Sequence, residues 1–197
     1  LDDARYCLAI AQTAQQKGAI VLNYVSLVGF QKNKARLEQA QVKDELSGRI
    51  YHVKARYFLN CTGPYADAVR RMANPSLPNR LRPSKGVHVS LPLSVLNSDT
   101  AMLIPKTSDG RVVFAIPFAG QLMLGTTDDE YHDLSLEPTL RKSEVAFLLN
   151  TLAPFLSQKP LANDVKAGFG GLRPLLAADP RRNTKRLTRD HEVEYDN

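Results

Sequence analysis

The stretch that most constrains this chain is a glycine run that ends on an arginine, Ala167-Gly168-Phe169-Gly170-Gly171-Leu172-Arg173-Pro174-Leu175-Leu176. Glycine lets backbone come close to a ligand or to another chain segment where a Cβ would collide. Arg173 adds a planar cation fork at the same spot. Further on, Thr188-Arg189-Asp190-His191 brings a second arginine beside an acid and a histidine. Read from the residues alone, this is a site for an anionic small molecule lying against something flat or close-packed.

The rest of the sequence has to build the support for that site. With 197 residues the chain can hold one good-sized core, or one domain with a piece of another. It has no apolar run of transmembrane length and no charged-then-apolar leader. It opens on Leu1-Asp2-Asp3 without an initiator methionine, so a fragment is expected. An excess of 26 Lys+Arg over 20 Asp+Glu gives +6, which suits nucleic acid, anionic lipid or anionic metabolites. There is no zinc-finger spacing, RNP-like aromatic motif or helix-turn-helix pattern, so no nucleic-acid partner is expected. Cys7 and Cys61 sit in no paired motif, which reads as a reduced, intracellular chain. His52, His88, His132 and His191 are too dispersed to form a local metal site, and no metal is expected.

Taken in order, Ala4, Cys7, Leu8, Ala11 and Ala14 recur at helical spacing, with Asp2 or Asp3 as cap and Gly18 as stop, predicting a helix over 3–17. A short buried strand is expected at 19–22, with extended chain over 24–30. Segments 36–45 and 49–57 read as a hairpin turning at Leu46-Ser47-Gly48. The apolar run 57–61 reads as a strand covered on both faces. It leads through Thr62-Gly63-Pro64 into a helix over 65–73 that buries Ala66, Val69 and Met72. Strand, glycine turn and helix form either a phosphate or cofactor approach or a plain βα connection. Four strands follow at 87–91, 101–104, 112–116 and 122–126, the last three separated by turns at Ser108-Asp109-Gly110 and Ala119-Gly120, and their spacing suggests an antiparallel meander. A second helix over 138–155 presents Val145, Leu148, Leu149 and Leu152, and strands at 165–168 and 187–195 return to the sheet. The order predicts an α+β fold: a large, mostly antiparallel sheet with helices packed on it.

Seven phrases, in order, resemble one family, the FAD-dependent glycerol-3-phosphate dehydrogenases and oxidases. They are Asp2-Asp3-Ala4-Arg5, Asn60-Cys61-Thr62-Gly63-Pro64-Tyr65, Pro83-Ser84-Lys85-Gly86-Val87-His88, Ile104-Pro105-Lys106-Thr107-Ser108-Asp109-Gly110-Arg111, Leu124-Gly125-Thr126-Thr127-Asp128, Gly171-Leu172-Arg173-Pro174-Leu175 and Thr188-Arg189-Asp190-His191. Tyr65 stands where the family usually has tryptophan, and Phe118 after Pro117 does so too. The resemblance implies a central fragment of a two-domain enzyme: the substrate-binding domain, with part of the FAD-binding domain at about 1–30 and 55–73. The family's GxGxxG segment and its carboxy-terminal segment would lie outside the chain, leaving the fragment alone inactive. The large sheet would form the wall of the substrate pocket that faces the flavin ring.

The implied reaction oxidises sn-glycerol-3-phosphate to dihydroxyacetone phosphate by hydride transfer to FAD, with a quinone or oxygen as later acceptor, in a cytoplasmic protein that can lie peripherally on the inner face of the cytoplasmic membrane. A phosphate dianion must be held, an alcohol proton removed and a hydride passed at close range. Arg173 and Arg189 resemble the family's pocket arginines, though spacing does not assign which holds the phosphate. Arg173 alternatively ties loop carbonyls, and Arg189 pairs with Asp190 in a basic loop holding Arg181, Arg182, Lys185 and Arg186, itself either a solvated surface or a lipid contact. His88 resembles the substrate-contacting histidine and titrates in the range of a proton acceptor; otherwise it is a satisfied strand residue. Lys85 either adds positive potential nearby or is exposed. Val25, Thr62, Gly63, Pro64, Gly171 and Leu172 resemble positions that line the flavin, mostly through backbone. Asp128 reads as a turn lock. Two other readings stand beside this one: an amino-acid oxidase-like flavoenzyme of the same fold, and a flavin-free binding or membrane-docking module.

Overall fold

Strand alternation and turn chemistry build most of the observed architecture. The structure, a computed structural model, describes residues 2–34, 36–107, 110–134, 137–176 and 193–195. The strand expected at 187–195, the Arg189 motif, the basic loop and part of the Ser108-Asp109-Gly110 turn fall largely outside these residues. The described chain separates into two units, one of residues 1–60, 69–76 and 195–197 and one of 61–68 and 77–194.

The first unit opens with helix α1, Asp3–Gln16, where the Asp2 carboxylate accepts from the backbone N–H of Arg5 at 3.1 Å. Three antiparallel strands follow in order: β1 (Val25–Asn33), β2 (Arg36–Asp44) and β3 (Ile50–Lys54). The β2–β3 turn is held by Asp44, which accepts from the N–H of Leu46 at 3.0 Å and from the Ser47 hydroxyl, while Gly48 supplies a φ of 72°. Two expectations are corrected here. Residues 19–22 and 57–61 are not strands, and Ile20 is 88% and Leu59 84% exposed. An apolar run becomes a strand only where neighbouring backbone pairs with it, and among the described residues no ladder reaches either run. Phe58 instead packs edge-on to Phe30, with ring centres 5.6 Å apart.

Helix α2, Ala66–Ala73, is correctly expected, but its inward face differs. Its buried residue is Asp67, and Met72 is exposed. The Asp67 carboxylate accepts from the N–H groups of Arg80 and Leu81, both at 2.8 Å. Capping the backbone at the start of the next strand outweighs the apolar stripe on so short a helix.

The second unit carries a six-stranded antiparallel sheet: β4 (Leu81–Pro92), β5 (Met102–Ile104), β6 (Val113–Phe118), β7 (Gln121–Gly125), β8 (Asp129–Glu130) and β9 (Ala167–Leu176). The β6–β7 hairpin turns on Ala119 and Gly120, both at positive φ, the geometry that a two-residue turn between twisted strands needs. The meander holds for β5, β6 and β7 only. The connection over 93–101 carries the chain past two strand positions, so β4 pairs with β7 and not with β5. On its other edge β4 pairs with β9 along ten residues, from Leu81 opposite Leu176 to Ser90 opposite Ala167.

One face of this sheet is the core. Val87, Val89, Leu91, Val113, Ala115, Leu122 and Leu124 alternate onto it and meet Leu148, Leu149 and Leu152 of helix α3, Lys142–Leu152. Full burial of each of these valines and leucines contributes about 1.5–3 kcal/mol. The predicted helix over 138–155 is thus shorter, with 138–140 running as a strap against β9. A Cβ at Gly168 would meet Leu140, and one at Gly170 would lie 2.6 Å from the carbonyl oxygen of Pro138. Two of the run's glycines therefore serve backbone packing, not a ligand.

Candidate functional site

Helix α3 covers one face only, and the strand register decides what the other displays. Successive side chains on a strand point to opposite faces, and directly paired residues share one. Ser84, Gly86 and His88 of β4 therefore face away from α3, together with their partners Arg173, Gly171 and Phe169 of β9 and Gly125 of β7. Leu103, Phe114 and Ile116 continue that face and are exposed, as is Phe169 at 58%. The result is a largely apolar wall with Arg173 and His88 at its centre and Arg82, held by Glu130 at 2.9 Å, toward one end.

His88 stacks on Phe169, with ring centres 5.1 Å apart at 16°. It lies over Gly125, where a Cβ would come within 2.6 Å of its Nε2. Burial first, and the Arg173 charge second, push its pKa below the usual histidine value. At neutral pH it is therefore an uncharged imidazole able to accept a proton.

Arg173 donates from Nη1 to the carbonyl oxygen of Thr127 at 3.2 Å and from Nη2 to the Thr126 hydroxyl at 3.0 Å. Asp128 lies 3.8 Å from Nη1 and also takes a hydrogen bond from the Ser84 hydroxyl. A quarter of the Arg173 side chain remains exposed. Its structural and ligand-facing readings are thus compatible: the guanidinium is anchored on the 126–128 segment and still presents itself to the open face. Asp128 does more than lock a turn, since it joins Ser84 of β4 to Arg173 of β9.

The other expected residues divide by position. Lys85 is on the helix-covered face and 2% exposed, with Nζ 2.8 and 2.9 Å from the two carboxylate oxygens of Glu144 and 2.7 Å from the carbonyl oxygen of Thr139. That geometry encloses the ammonium, so neither expectation for Lys85, an exposed side chain or a potential open to ligand, fits it. Leu172 pairs with Lys85 and shares its face, leaving only backbone toward the wall. Gly171 is on the wall, and a Cβ there would meet nothing within 4 Å. Thr62, Gly63 and Pro64 form a 3-10 turn entry in the same unit, packed against β9, with Gly63 at φ 57°. Val25 opens β1 in the other unit. Arg189 is outside the described residues. The residues that sequence reasoning passed over are Ser84, Gly86, Gly125, Thr126, Thr127 and Phe169. Most stand inside the resembling phrases, but only the cross-strand register brings them together.

A recess of about 150 Å³ lies elsewhere, lined by Arg111, Thr127, Asp129, Ser143, Glu144 and Phe147. Arg111 there holds Asp129 at 2.7 Å and covers the Phe147 ring at 5.0 Å, so the recess serves the α3 contact. Among the described residues no cluster of His, Cys, Asp and Glu could hold a metal ion.

Known proteins resemble the chain along most of its length. The chain is 36% identical over 201 residues to the mitochondrial glycerol-3-phosphate dehydrogenase of Rattus norvegicus, covering 98% of this chain and 28% of that protein. It is 34% identical over 208 residues to the probable mitochondrial glycerol-3-phosphate dehydrogenase of Dictyostelium discoideum, covering 98% and 32%. The chain thus spans about a third of the length of these curated relatives. The structure of the glycerol-3-phosphate dehydrogenase from Bacillus halodurans complexed with FAD superposes with a TM-score of 0.82 at 31% identity, over 89% of this chain and 36% of that one. L-proline dehydrogenase from P. horikoshii, at TM-score 0.58 and 16% identity, shares the fold. The family described as FAD dependent oxidoreductase matches residues 1–191. With the α+β sheet and this match along nearly its whole length, the chain belongs to the FAD dependent oxidoreductase (DAO) family.

Proposed function

We propose that this chain is the substrate-wall portion of a flavoenzyme that oxidises sn-glycerol-3-phosphate to dihydroxyacetone phosphate. The observation that carries the reading is the open sheet face, where a neutral His88 and an anchored Arg173 stand beside the uncovered backbone of Gly171. Similarity above 30% to glycerol-3-phosphate dehydrogenases supports the substrate class.

The residues fit a flat cofactor: a Cβ at Gly171 would meet nothing within 4 Å, and the exposed Phe169 stands two positions along the same face. Gly171 and the backbone of Leu172, with Thr62, Gly63 and Pro64, are the residues of this unit that would hold FAD. Bound FAD supplies the two-electron acceptor for the hydride. Arg173 binds an anionic oxygen of the substrate through its fork, and the neutral His88 imidazole takes the proton of the secondary hydroxyl. Arg189 is proposed as the second anion ligand. Lys85 acts through the sheet, not on substrate.

On the same reading, residues 1–30 and 55–73 belong to the flavin-binding domain. A quinone or oxygen takes the electrons onward. A cytoplasmic, peripheral membrane location remains part of the proposal; no helix among the described residues is long and apolar enough to cross a membrane, and the two curated relatives named above are mitochondrial.

The test is the visible absorbance of the 197-residue chain and of the full-length gene product, each mixed with FAD and desalted. The full-length product is expected to stay yellow and to bleach with glycerol-3-phosphate, while the shorter chain desalts colourless. A full-length product that never retains flavin, or that bleaches with an amino acid and not with glycerol-3-phosphate, overturns the reading.

A further inference from the structure

Beneath Arg173 and His88 the sheet has a floor made of two glycines. Arg173 is paired in register with Ser84, yet its guanidinium leans along the strand onto the next position of that face, Gly86. A Cβ at Gly86 would lie 2.6 Å from the Arg173 Cζ and as close to its terminal nitrogens. The His88 ring leans in the same way onto Gly125, its cross-strand partner, where a Cβ would come within 2.7 Å of Cγ. Neither glycine has a positive φ, so conformational freedom does not call for glycine there. Only the space above them does. Gly86 and His88 are two residues apart on one face, roughly 7 Å along the strand, so the flattened guanidinium and imidazole come to rest side by side.

From this geometry we propose that Gly86 and Gly125 are positioning residues, which lower the Arg173 guanidinium and the His88 imidazole onto the sheet and so seat cation and base next to each other for one anionic, hydroxyl-bearing ligand. This rests on the reading of the open face as a substrate wall. A methyl group at Gly86 displaces only the end of a flexible side chain. It lifts the guanidinium from Thr126 and Thr127 without disturbing the core, which is on the other face. At Gly125 the stiffer ring must move off β7, which changes its stacking on Phe169.

The experiment is a double-mutant cycle in the 197-residue chain with Gly86→Ala, Arg173→Ala and both together, plus Gly125→Ala alone. The readouts are the His88 imidazole titration by NMR, the affinity for inorganic phosphate, and thermal unfolding. The charge facing the His88 ring is Arg173 from β9, with Asp128 beside the guanidinium, whereas Lys85 and Glu144 are on the far face. Gly86→Ala is expected to move the His88 titration upward, toward its position in Arg173→Ala. It should also weaken phosphate binding by about tenfold through loss of the aligned charged hydrogen bonds. Both effects should vanish when Gly86→Ala is made in the Arg173→Ala background, and the unfolding midpoint of Gly86→Ala should fall by no more than that of Arg173→Ala, which loses the same hydrogen bonds. Gly125→Ala should change the Phe169 ring-current shift on His88. A Gly86→Ala chain that titrates and binds phosphate as the wild type does, or that changes equally with and without Arg173, overturns the proposal. Should Gly125→Ala not fold, the Gly86 cycle decides alone. If the wild-type chain binds no phosphate, the substrate-wall reading fails, while the titration cycle still tests the floor.

Discussion

At the scale of single residues, His88 is where environment alters chemistry most. Its pKa lies below the ordinary 6.5, because burial disfavours the imidazolium and Arg173 repels it. The unfolded chain therefore takes up the His88 proton before the folded chain does. The contribution to stability is full above pH 6.5, shrinks as the pH falls below it, and levels off once the folded imidazole titrates. Urea midpoints measured from pH 7.5 to 5 should fall on acidification, and His88→Gln should flatten part of that slope; an unchanged slope would mean that His88 is not held neutral by the fold. His88 and Arg173 were legible as candidates in the sequence. Their seats were not, because Gly86 and Gly125 lie far apart in the chain and only cross-strand register makes them one floor.

At the scale of elements, the buried Lys85–Glu144 pair joins β4 to the first turn of α3. The Glu144 carboxylate also accepts from the N–H of Arg141 at 2.7 Å. Lys85→Met leaves that carboxylate buried without its cation and should cost about 3–5 kcal/mol, whereas Lys85→Met with Glu144→Leu should recover most of it. A chemical denaturation series on the three chains checks this. If the single variant is as stable as the wild type, the ammonium is not structural and a ligand role for Lys85 is open again. Leu148→Ala, in the fully buried stripe of α3, should cost about 2–5 kcal/mol by the same measurement. The stripe itself was plain from its helical spacing, as were α1 and the hairpins with their glycine turns. The apolar runs at 19–22 and 57–61 misled because hydrophobicity predicts burial only where a partner is available.

At the scale of the whole molecule, the two units differ in how much they bury. The second has a continuous apolar core between sheet and α3, whereas in the first Ala40 is the one buried apolar residue among those described. Amides of β1–β3 should therefore exchange with solvent well before those of β4 and β7, since local opening costs least where little apolar surface is covered. Equal protection in hydrogen exchange would contradict that division. The sequence alone determined the fold class, through alternation in the strands, the leucine stripe of α3 and the glycine turns, all of which are local patterns repeated over a few residues. It also marked the phrases that hold His88 and Arg173. The tertiary structure alone decided which glycines pack against the 138–140 strap and which lie under the site, that Lys85 is enclosed while Arg173 is presented, and that β4 runs between β7 and β9. Those outcomes depend on pairing between segments distant in the chain, and a one-residue shift of register would send every one of these side chains to the other face.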